Sequence, residues 1–157
     1  MQGQARETVG DFTPQQVAML MGALAKMGIT PVAGLVEAMQ VQARETAGDF
    51  NPRGVSNLMS ALEKMGIRPD AGLLEAMQGR ARETAGDFNP QEVGVLMGAL
   101  AKMGISPDAS LVEAMQRRAR ETAGDFKPQE IANLMWALAK MRCRPEAGLL
   151  LLYYFQA

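Results

Sequence analysis

Histidine and cysteine, which carry much of the acid–base and metal chemistry of proteins, are almost missing from this 157-residue sequence. It contains no histidine and one cysteine, Cys143, which excludes histidine general bases, His/Cys metal sites and intramolecular disulfides. Its carboxylates recur at equivalent positions, as at Asp49 and Asp87, whereas catalysis by paired carboxylates needs one desolvated pair unlike the others. We therefore expect a binding protein that is not an enzyme and that uses no cofactor or metal.

Side chains that vary between otherwise similar segments are better candidates for recognition. Residues 86–104 have close copies at 10–28, 48–66 and 124–141, so the sequence repeats every 38 residues. Four positions in each copy, spaced i, i+4, i+7 and i+11, lie on one helical face, where the last is always lysine and the middle two change. This pattern suits a modular reader of RNA, in which the lysine contacts a phosphate and the varied pair meets one base. A partly exposed surface, at which many residue types are acceptable, explains the variation about equally well.

The candidate RNA-binding residues fall on both helices of the repeat. Arg80, Arg117 and Arg118 lie on the first helix, where basic character rises towards the C-terminus. Trp136, the only tryptophan, is able to stack on a base or to pack between repeats, and packing is the favoured interpretation. The formal net charge of −1 provides no global field, so nucleic-acid binding must depend on a local stripe. The candidates on the varied face of the second helix are Lys26, Arg53, Asn57, Ser60, Lys64, Val95, Lys102, Asn133, Trp136 and Lys140.

A pair of helices in every repeat positions these residues. Residues at equivalent positions of successive repeats are called a column. The second helix of a pair starts with a cap followed by proline, as at Thr13 and Pro14, and stops at a glycine such as Gly28. The first helix starts at a proline, followed in three copies by an acid in its first turn, and stops at the next glycine. The predicted second helices are 14–27, 52–65, 90–103 and 128–141, and the predicted first helices are 31–47, 69–85, 107–123 and 145–156.

Short loops make consecutive helices antiparallel, and the apolar face of each pair must be covered by the next repeat. The sequence therefore predicts an all-α fold, an α-solenoid of about four stacked antiparallel helix-pair repeats forming one domain over residues 1–157. Residues 1–8 match the mid-repeat sequence of residues 77–84, so we expect a fragment of a longer array, without a targeting peptide in this chain.

Several further positions of the repeat have structural interpretations. Recurring arginines and acids, such as Arg82 and Asp87, are expected to form a solvated inter-repeat ladder of unlike charges. In the fourth copy Lys127 is a poor helix cap, costing about 1 kcal/mol, and Arg142 in place of glycine indicates a looser final turn. Most methionines recur in three columns that we expect to be buried core: Met21, Met59, Met97 and Met135; Met27, Met65, Met103 and Met141; Met39, Met77 and Met115.

The segment Phe126-Lys-Pro-Gln-Glu-Ile-Ala-Asn-Leu-Met-Trp-Ala-Leu-Ala-Lys-Met141 resembles the most recognisable part of the octotricopeptide repeat. That family consists of 38-residue helix-pair repeats in organellar RNA-binding proteins, related to repeats of FAST-kinase and RAP-domain proteins. The resemblance implies an α-solenoid that binds single-stranded RNA and acts in chloroplast or mitochondrial RNA maturation, stability or translation. Four repeats that each stack one base, at roughly 1–3 kcal/mol before ordering costs, are expected to bind RNA weakly.

The C-terminal tail departs from the repeat and supports the alternative function, a protein-interaction scaffold. Residues 149–155 are apolar all round the helix, yet far shorter than the roughly 20 residues that span a bilayer. We therefore expect the tail to pack on a second copy of the chain or on another protein partner. The alternative is an altered terminal helix that folds back on the last repeat, or a scar of truncation. The candidate interface residues are Leu151, Leu152, Tyr153, Tyr154 and Phe155.

If the tail mediates self-association, the chain is expected to elute as a dimer or larger species in size-exclusion chromatography with light scattering. Replacing Leu151 and Tyr154 by Ser is expected to shift it to the monomer mass, because the apolar contact is removed. An intact chain that stays monomeric at high concentration contradicts this prediction.

Overall fold

A computed structural model of the chain describes residues 9–146 and residue 149. Over these residues it contains α-helices, short 3-10 turns and no strand, which confirms the all-α solenoid. Each of the seven α-helices between residues 9 and 146 is 13 residues long. None of the helices in this part of the chain combines the length and apolarity needed to cross a bilayer. The helices are α1 (Pro14–Lys26), α2 (Ala33–Glu45), α3 (Pro52–Lys64), α4 (Ala71–Glu83), α5 (Pro90–Lys102), α6 (Ala109–Glu121) and α7 (Pro128–Lys140).

The second helices α1, α3, α5 and α7 begin at a proline that follows the N-cap. Asn51 Oδ1 accepts a hydrogen bond from Gly54 N at 2.7 Å, and Asn89 Oδ1 accepts one from Glu92 N at 2.8 Å. Lys127 has no side-chain acceptor for this role, and only Glu130 contributes, accepting from the Lys127 N–H at 2.9 Å. The Glu130 N–H donates instead to the Lys127 carbonyl oxygen at 2.9 Å, so α7 has a backbone bond where α3 and α5 have a side-chain cap.

The second helices end in a left-handed residue followed by an apolar residue that folds back. Gly28 has φ 68°, and the Ile29 N–H donates to Leu24 O at 2.9 Å, which is the Schellman arrangement. Arg142 adopts φ 59° and Cys143 N donates to Leu138 O at 2.8 Å, so the looser turn predicted for the fourth copy is wrong. The turn is retained at a cost of roughly 1–2 kcal/mol for a side chain in this region, because Cys143 packs against the core.

The first helices are shorter than the ranges predicted from the prolines. Helix α4 begins after Asp70, whose carboxylate accepts from Leu73 N at 2.7 Å, so this acid is the N-cap and does not lie in the first turn. Pro69 precedes the cap instead of opening the helix. At the other end α2, α4 and α6 give way to 3-10 turns, which are Ala47–Asp49, Ala85–Asp87 and Ala123–Asp125, and a similar turn at Val9–Asp11 precedes α1.

The core lies between a layer of second helices and a layer of first helices. Each second helix contacts the second helix of the next repeat more extensively than it contacts its own partner. Leu58, Leu62 and Leu100 are buried at these interfaces, together with Ala61 and Ala99. Small alanines let the neighbouring backbones approach closely, so the second helices form the more tightly packed layer.

Two of the three methionine columns are core, as predicted. Met59 and Met97 of the second helices and Met77 of a first helix are each 1% exposed or less. The column that contains Met27 is not buried: Met27 is 63% exposed, and its three equivalents are half-buried. Because these residues are the C-caps of their helices, they lie beyond the last turn that the neighbouring repeat covers.

Charges do join adjacent repeats, although with acids other than the expected ones. Arg44 pairs with Asp70 at 3.3 Å, Arg82 pairs with Asp108 at 3.0 Å, and Arg120 pairs with Glu146. The predicted partners, such as Asp87, instead lie in the exposed 3-10 turns. The pairs are about half exposed, so each stabilises the fold by at most about 1 kcal/mol.

A second set of bonds between repeats is made to backbone groups and is more buried. Arg80 Nε donates to the carbonyl oxygen of Phe50 at 2.7 Å, across 30 residues. Gln42 Nε2 donates in the same way to Phe12 O at 2.8 Å, so an amide replaces the guanidinium in the first copy. The bond satisfies a carbonyl that the stacked repeats remove from water.

Arg80→Ala is expected to lower the free energy of unfolding by about 1–2 kcal/mol, because it leaves the Phe50 carbonyl without a donor. The control is Arg80→Gln, which copies Gln42 and keeps an N–H donor, and it is expected to cost less than about 0.5 kcal/mol. Urea denaturation followed by circular dichroism measures both. Equal losses in the two variants contradict the assigned hydrogen bond.

Candidate nucleic-acid interface

The outer faces of the second helices form one continuous shallow groove, which we call the second-helix groove. A depression of about 400 Å³ spans α3, α5 and α7. A second depression of about 330 Å³ lies between α1 and α3 and shares Ser60 and Lys64 with the first. Because neighbouring second helices contact one another more extensively than neighbouring first helices do, the array curves towards this face, which is therefore concave. Its central residues are Gly22, Asn57, Ser60, Val95, Gly98, Asn133 and Trp136.

A row of lysines follows one edge of the groove. Lys26, Lys64 and Lys102 are the last residues of their helices, are exposed and line the depressions. Lys140 is also exposed at the equivalent position of α7 but lines neither of these depressions. A lysine at a helix C-terminus also interacts favourably with the helix dipole, which gives the row a structural use as well. The ammonium groups nevertheless lie in water at one edge of the groove, where they are accessible to an anionic ligand.

Acidic groups are distributed unevenly across the groove. At the opposite edge, Glu92 and Glu130 accept hydrogen bonds from the N–H groups of Asn89 and Lys127, each at 2.9 Å, so they serve helix capping. Glu63 has no such role and lies beside Lys64 in the groove, where the other repeats carry alanine, as at Ala101. It is therefore the one acid that interrupts the basic edge among the described groove residues.

Trp136 is only half covered by its surroundings, so packing between repeats, the favoured interpretation, does not account for its exposed half. Its side chain is 48% exposed and lines the larger depression. Two glycines of α5, Gly94 and Gly98, line the same depression, and apart from the adjacent residues and local helix backbone no heavy atom lies within 4 Å of the point where a Cβ of either would stand. The indole is exposed because the neighbouring helix offers no side chain to cover it.

The other polar candidates of the second helices fall on the same face. Arg53 and Asn57 line a depression between α3 and α5, which Val95 also lines. Asn133 lies one turn before Trp136 on α7, and its Oδ1 accepts from Gln129 Nε2 at 3.0 Å. The varied columns of the sequence therefore meet in one groove.

The first-helix candidates do not join the groove. Arg80 and Arg118 use Nε to bind the carbonyl oxygens of Phe50 and Phe88, both at 2.7 Å, and both guanidinium groups are three-quarters buried. Arg117 is exposed and pairs with Glu113 on its own helix at 3.3 Å. The tail candidates at 151–155 lie outside the described residues.

Sequence reasoning missed Glu63, Glu130 and Gly94 as groove residues. A signal for Gly94 was present, because glycine inside a helix costs about 1 kcal/mol relative to alanine and so indicates that space is needed. In the described segments, no three acidic or cysteine side chains are grouped as a metal site.

Comparison with known proteins identifies the family. The model of the family described as RNA-editing substrate-binding complex 6 protein matches residues 1–150. No curated protein matches the chain. Since the match covers nearly the whole sequence, the chain belongs to this family.

Proposed function

We propose that this member of the RNA-editing substrate-binding complex 6 protein family binds single-stranded RNA in the second-helix groove. The observation that carries the proposal is that Lys26, Lys64 and Lys102 line one concave face together with an exposed tryptophan, Trp136. The family name supports an RNA substrate, and the groove supplies the chemistry for one. The module acts by binding and not by catalysis.

The phosphates lie along the lysine edge in this proposal. An ammonium contacts a phosphate oxygen as a compact point charge and carries no sequence information. Successive lysines occur once per repeat, so the backbone crosses the stacked helices from α1 towards α7. The bases then point to the middle of the groove, where Asn57, Ser60 and Asn133 offer hydrogen-bonding groups.

Replacing both Lys64 and Lys102 by Glu is expected to weaken binding of a single-stranded 12-mer RNA more than tenfold at low salt. The logarithmic salt slope is expected to flatten by about 0.7 for each phosphate that no longer has a lysine partner. Fluorescence anisotropy at several KCl concentrations measures both quantities.

The matched control for charge is Arg117→Glu. Like each lysine substitution, it replaces a positive charge by a negative one, but Arg117 lies on a first helix. This variant is expected to leave the affinity for RNA within about twofold, because residue 117 is remote from the groove and dissolved salt screens its charge. Glu63→Ala, which copies Ala101, removes the acid beside Lys64 and is expected to tighten binding several-fold. A lysine variant that binds with unchanged affinity and salt slope rules out the groove as the RNA site.

We also propose that these repeats are octotricopeptide repeats that each contact one base, and that the protein acts on RNA in an organelle. The support is that the varied columns, represented by Ser60, Gly98 and Trp136, line the same groove. A fluorescent fusion of the full-length protein in its native cell is expected to co-localise with a mitochondrial or chloroplast marker. A signal confined to the nucleus or cytosol contradicts the organellar assignment.

A further inference from the structure

We infer that Lys140, Arg142 and Arg144, which we call the α7 cation cluster, bind the RNA backbone through its phosphates at the end of the lysine edge. This inference rests on the proposed function, because RNA in the second-helix groove delivers the phosphates. It adds a binding site to that groove and states at which end of the array the RNA backbone is held most tightly.

The first observation is the backbone conformation of Arg142. This residue has φ 59°, whereas the equivalent positions after α1, α3 and α5 are Gly28, Gly66 and Gly104, with φ between 68° and 70°. Glycine adopts the left-handed region readily, but the Cβ of an arginine is strained there. Strained residues are concentrated at binding sites, where function retains them. The turn explains why this backbone is left-handed, but it does not explain why the residue is an arginine.

The second observation is that the charged groups of the cluster have no protein partner. All three residues are exposed, and within the described part of the chain none of these groups makes an ion pair or a hydrogen bond. By contrast, Arg68, the equivalent of Arg144, donates from Nη1 to the carbonyl oxygen of Met103 at 3.0 Å. The next acid along the chain, Glu146, pairs with Arg120. The cluster therefore presents its positive charge to the solvent.

The third observation is the local density of charge. Three cations fall within five residues of a chain whose formal net charge is −1. The matching segments at 26–30 and 102–106 each contain one cation, and the segment at 64–68 contains two. Like charges this close repel one another, and an anion bound among them replaces that repulsion by attraction. A single lysine complements the helix dipole in two of the other copies, so the dipole does not account for the additional arginines.

The cluster extends the groove and does not form a separate surface. Lys140 is equivalent to Lys102, and it lies one turn after Trp136, which lines the depression of about 400 Å³ together with Lys102. Arg142 and Arg144 follow directly after α7. An RNA backbone that follows the lysine edge therefore meets the highest density of positive charge at α7. Guanidinium groups suit this role because their planar N–H donors match the oxygens of a phosphate.

Two variants that copy other repeats test the cluster without endangering the fold. Arg142→Gly copies Gly104 and is expected to raise the midpoint of thermal unfolding, because it relieves the left-handed strain. The same variant is expected to weaken binding of a uridine 12-mer about threefold at low salt, because one phosphate contact is lost. The double variant, which adds Arg144→Ser to copy Ser106, is expected to weaken binding about tenfold and to flatten the logarithmic salt slope by about 0.7 per lost contact. Circular dichroism measures unfolding, and fluorescence anisotropy measures affinity.

Two controls separate the position of a charge from its presence. Arg142→Lys keeps the positive charge at the same point and is expected to bind the 12-mer within about twofold of the unaltered chain. Arg117→Ala removes one positive charge, as Arg142→Gly does, but removes it from a first helix. It is expected to leave the affinity within about twofold, because salt screens a charge that is remote from the groove.

A uridine tetramer tests which end of the array holds the RNA. Neighbouring packed helices lie about 8–10 Å apart, so a tetramer does not extend from α7 to α1. Trp136 is the only tryptophan of the chain, and its intrinsic fluorescence therefore reports a ligand near α7. The tetramer is expected to change this fluorescence, with an affinity that falls several-fold in the double arginine variant.

The outcomes separate this site from the proposed function. Binding of the 12-mer that needs Lys64 and Lys102 but is unchanged in both arginine variants overturns the cluster and leaves the RNA groove intact. Equal weakening by Arg142→Gly and Arg117→Ala indicates an effect of net charge and also overturns the cluster. A tetramer that leaves the tryptophan fluorescence unchanged overturns the assigned end. Failure of the unaltered chain to bind any 12-mer overturns the groove, and the cluster with it.

Discussion

Direct packing of one second helix on the next is the interaction on which the rest of this structure depends. A single helix pair exposes an apolar face that only the neighbouring repeat is able to cover, so the fold exists only as a stack. Leu62 and Leu100 of these helices are fully buried, and Ala61 and Ala99 are nearly so. Because the interface recurs every 38 residues, any side chain that recurs with it becomes a row in space. The lysine edge of the groove is a consequence of this geometry.

The sequence predicts features whose causes are local. Caps, glycine stops and helical periodicity act within a few residues, which explains why α3 and α5 begin at their prolines as expected. Features that depend on a neighbouring repeat were not predictable in the same way. The sequence shows Arg80 as a cation on a helix, but its carbonyl partner lies 30 residues away. Arg142 likewise adopts the conformation of a glycine because the turn must return Cys143 to the core.

The same distinction applies to the candidate site. The varied positions of the repeat predicted a set of side chains that share one face, since variation between otherwise similar repeats is visible in the sequence alone. They did not indicate that the face is concave or that Trp136 is exposed, because both depend on what α5 places opposite α7. Gly98 contributes to the depression by leaving a volume empty, and a missing side chain carries little signal in a sequence. The second helices thus form both the packed layer of the solenoid and the candidate site.

The missing cap and the left-handed Arg142 both fall on α7 and make it the least self-sufficient second helix described. Each defect costs on the order of 1 kcal/mol, so α7 depends more than α3 or α5 on its packing against the neighbouring helix. Local opening of this helix would separate Trp136 from Gly98 and dismantle the depression between them. Occupancy of that depression and closure of α7 are therefore thermodynamically linked: a ligand held there slows hydrogen exchange along the helix, and a looser helix releases its ligand sooner.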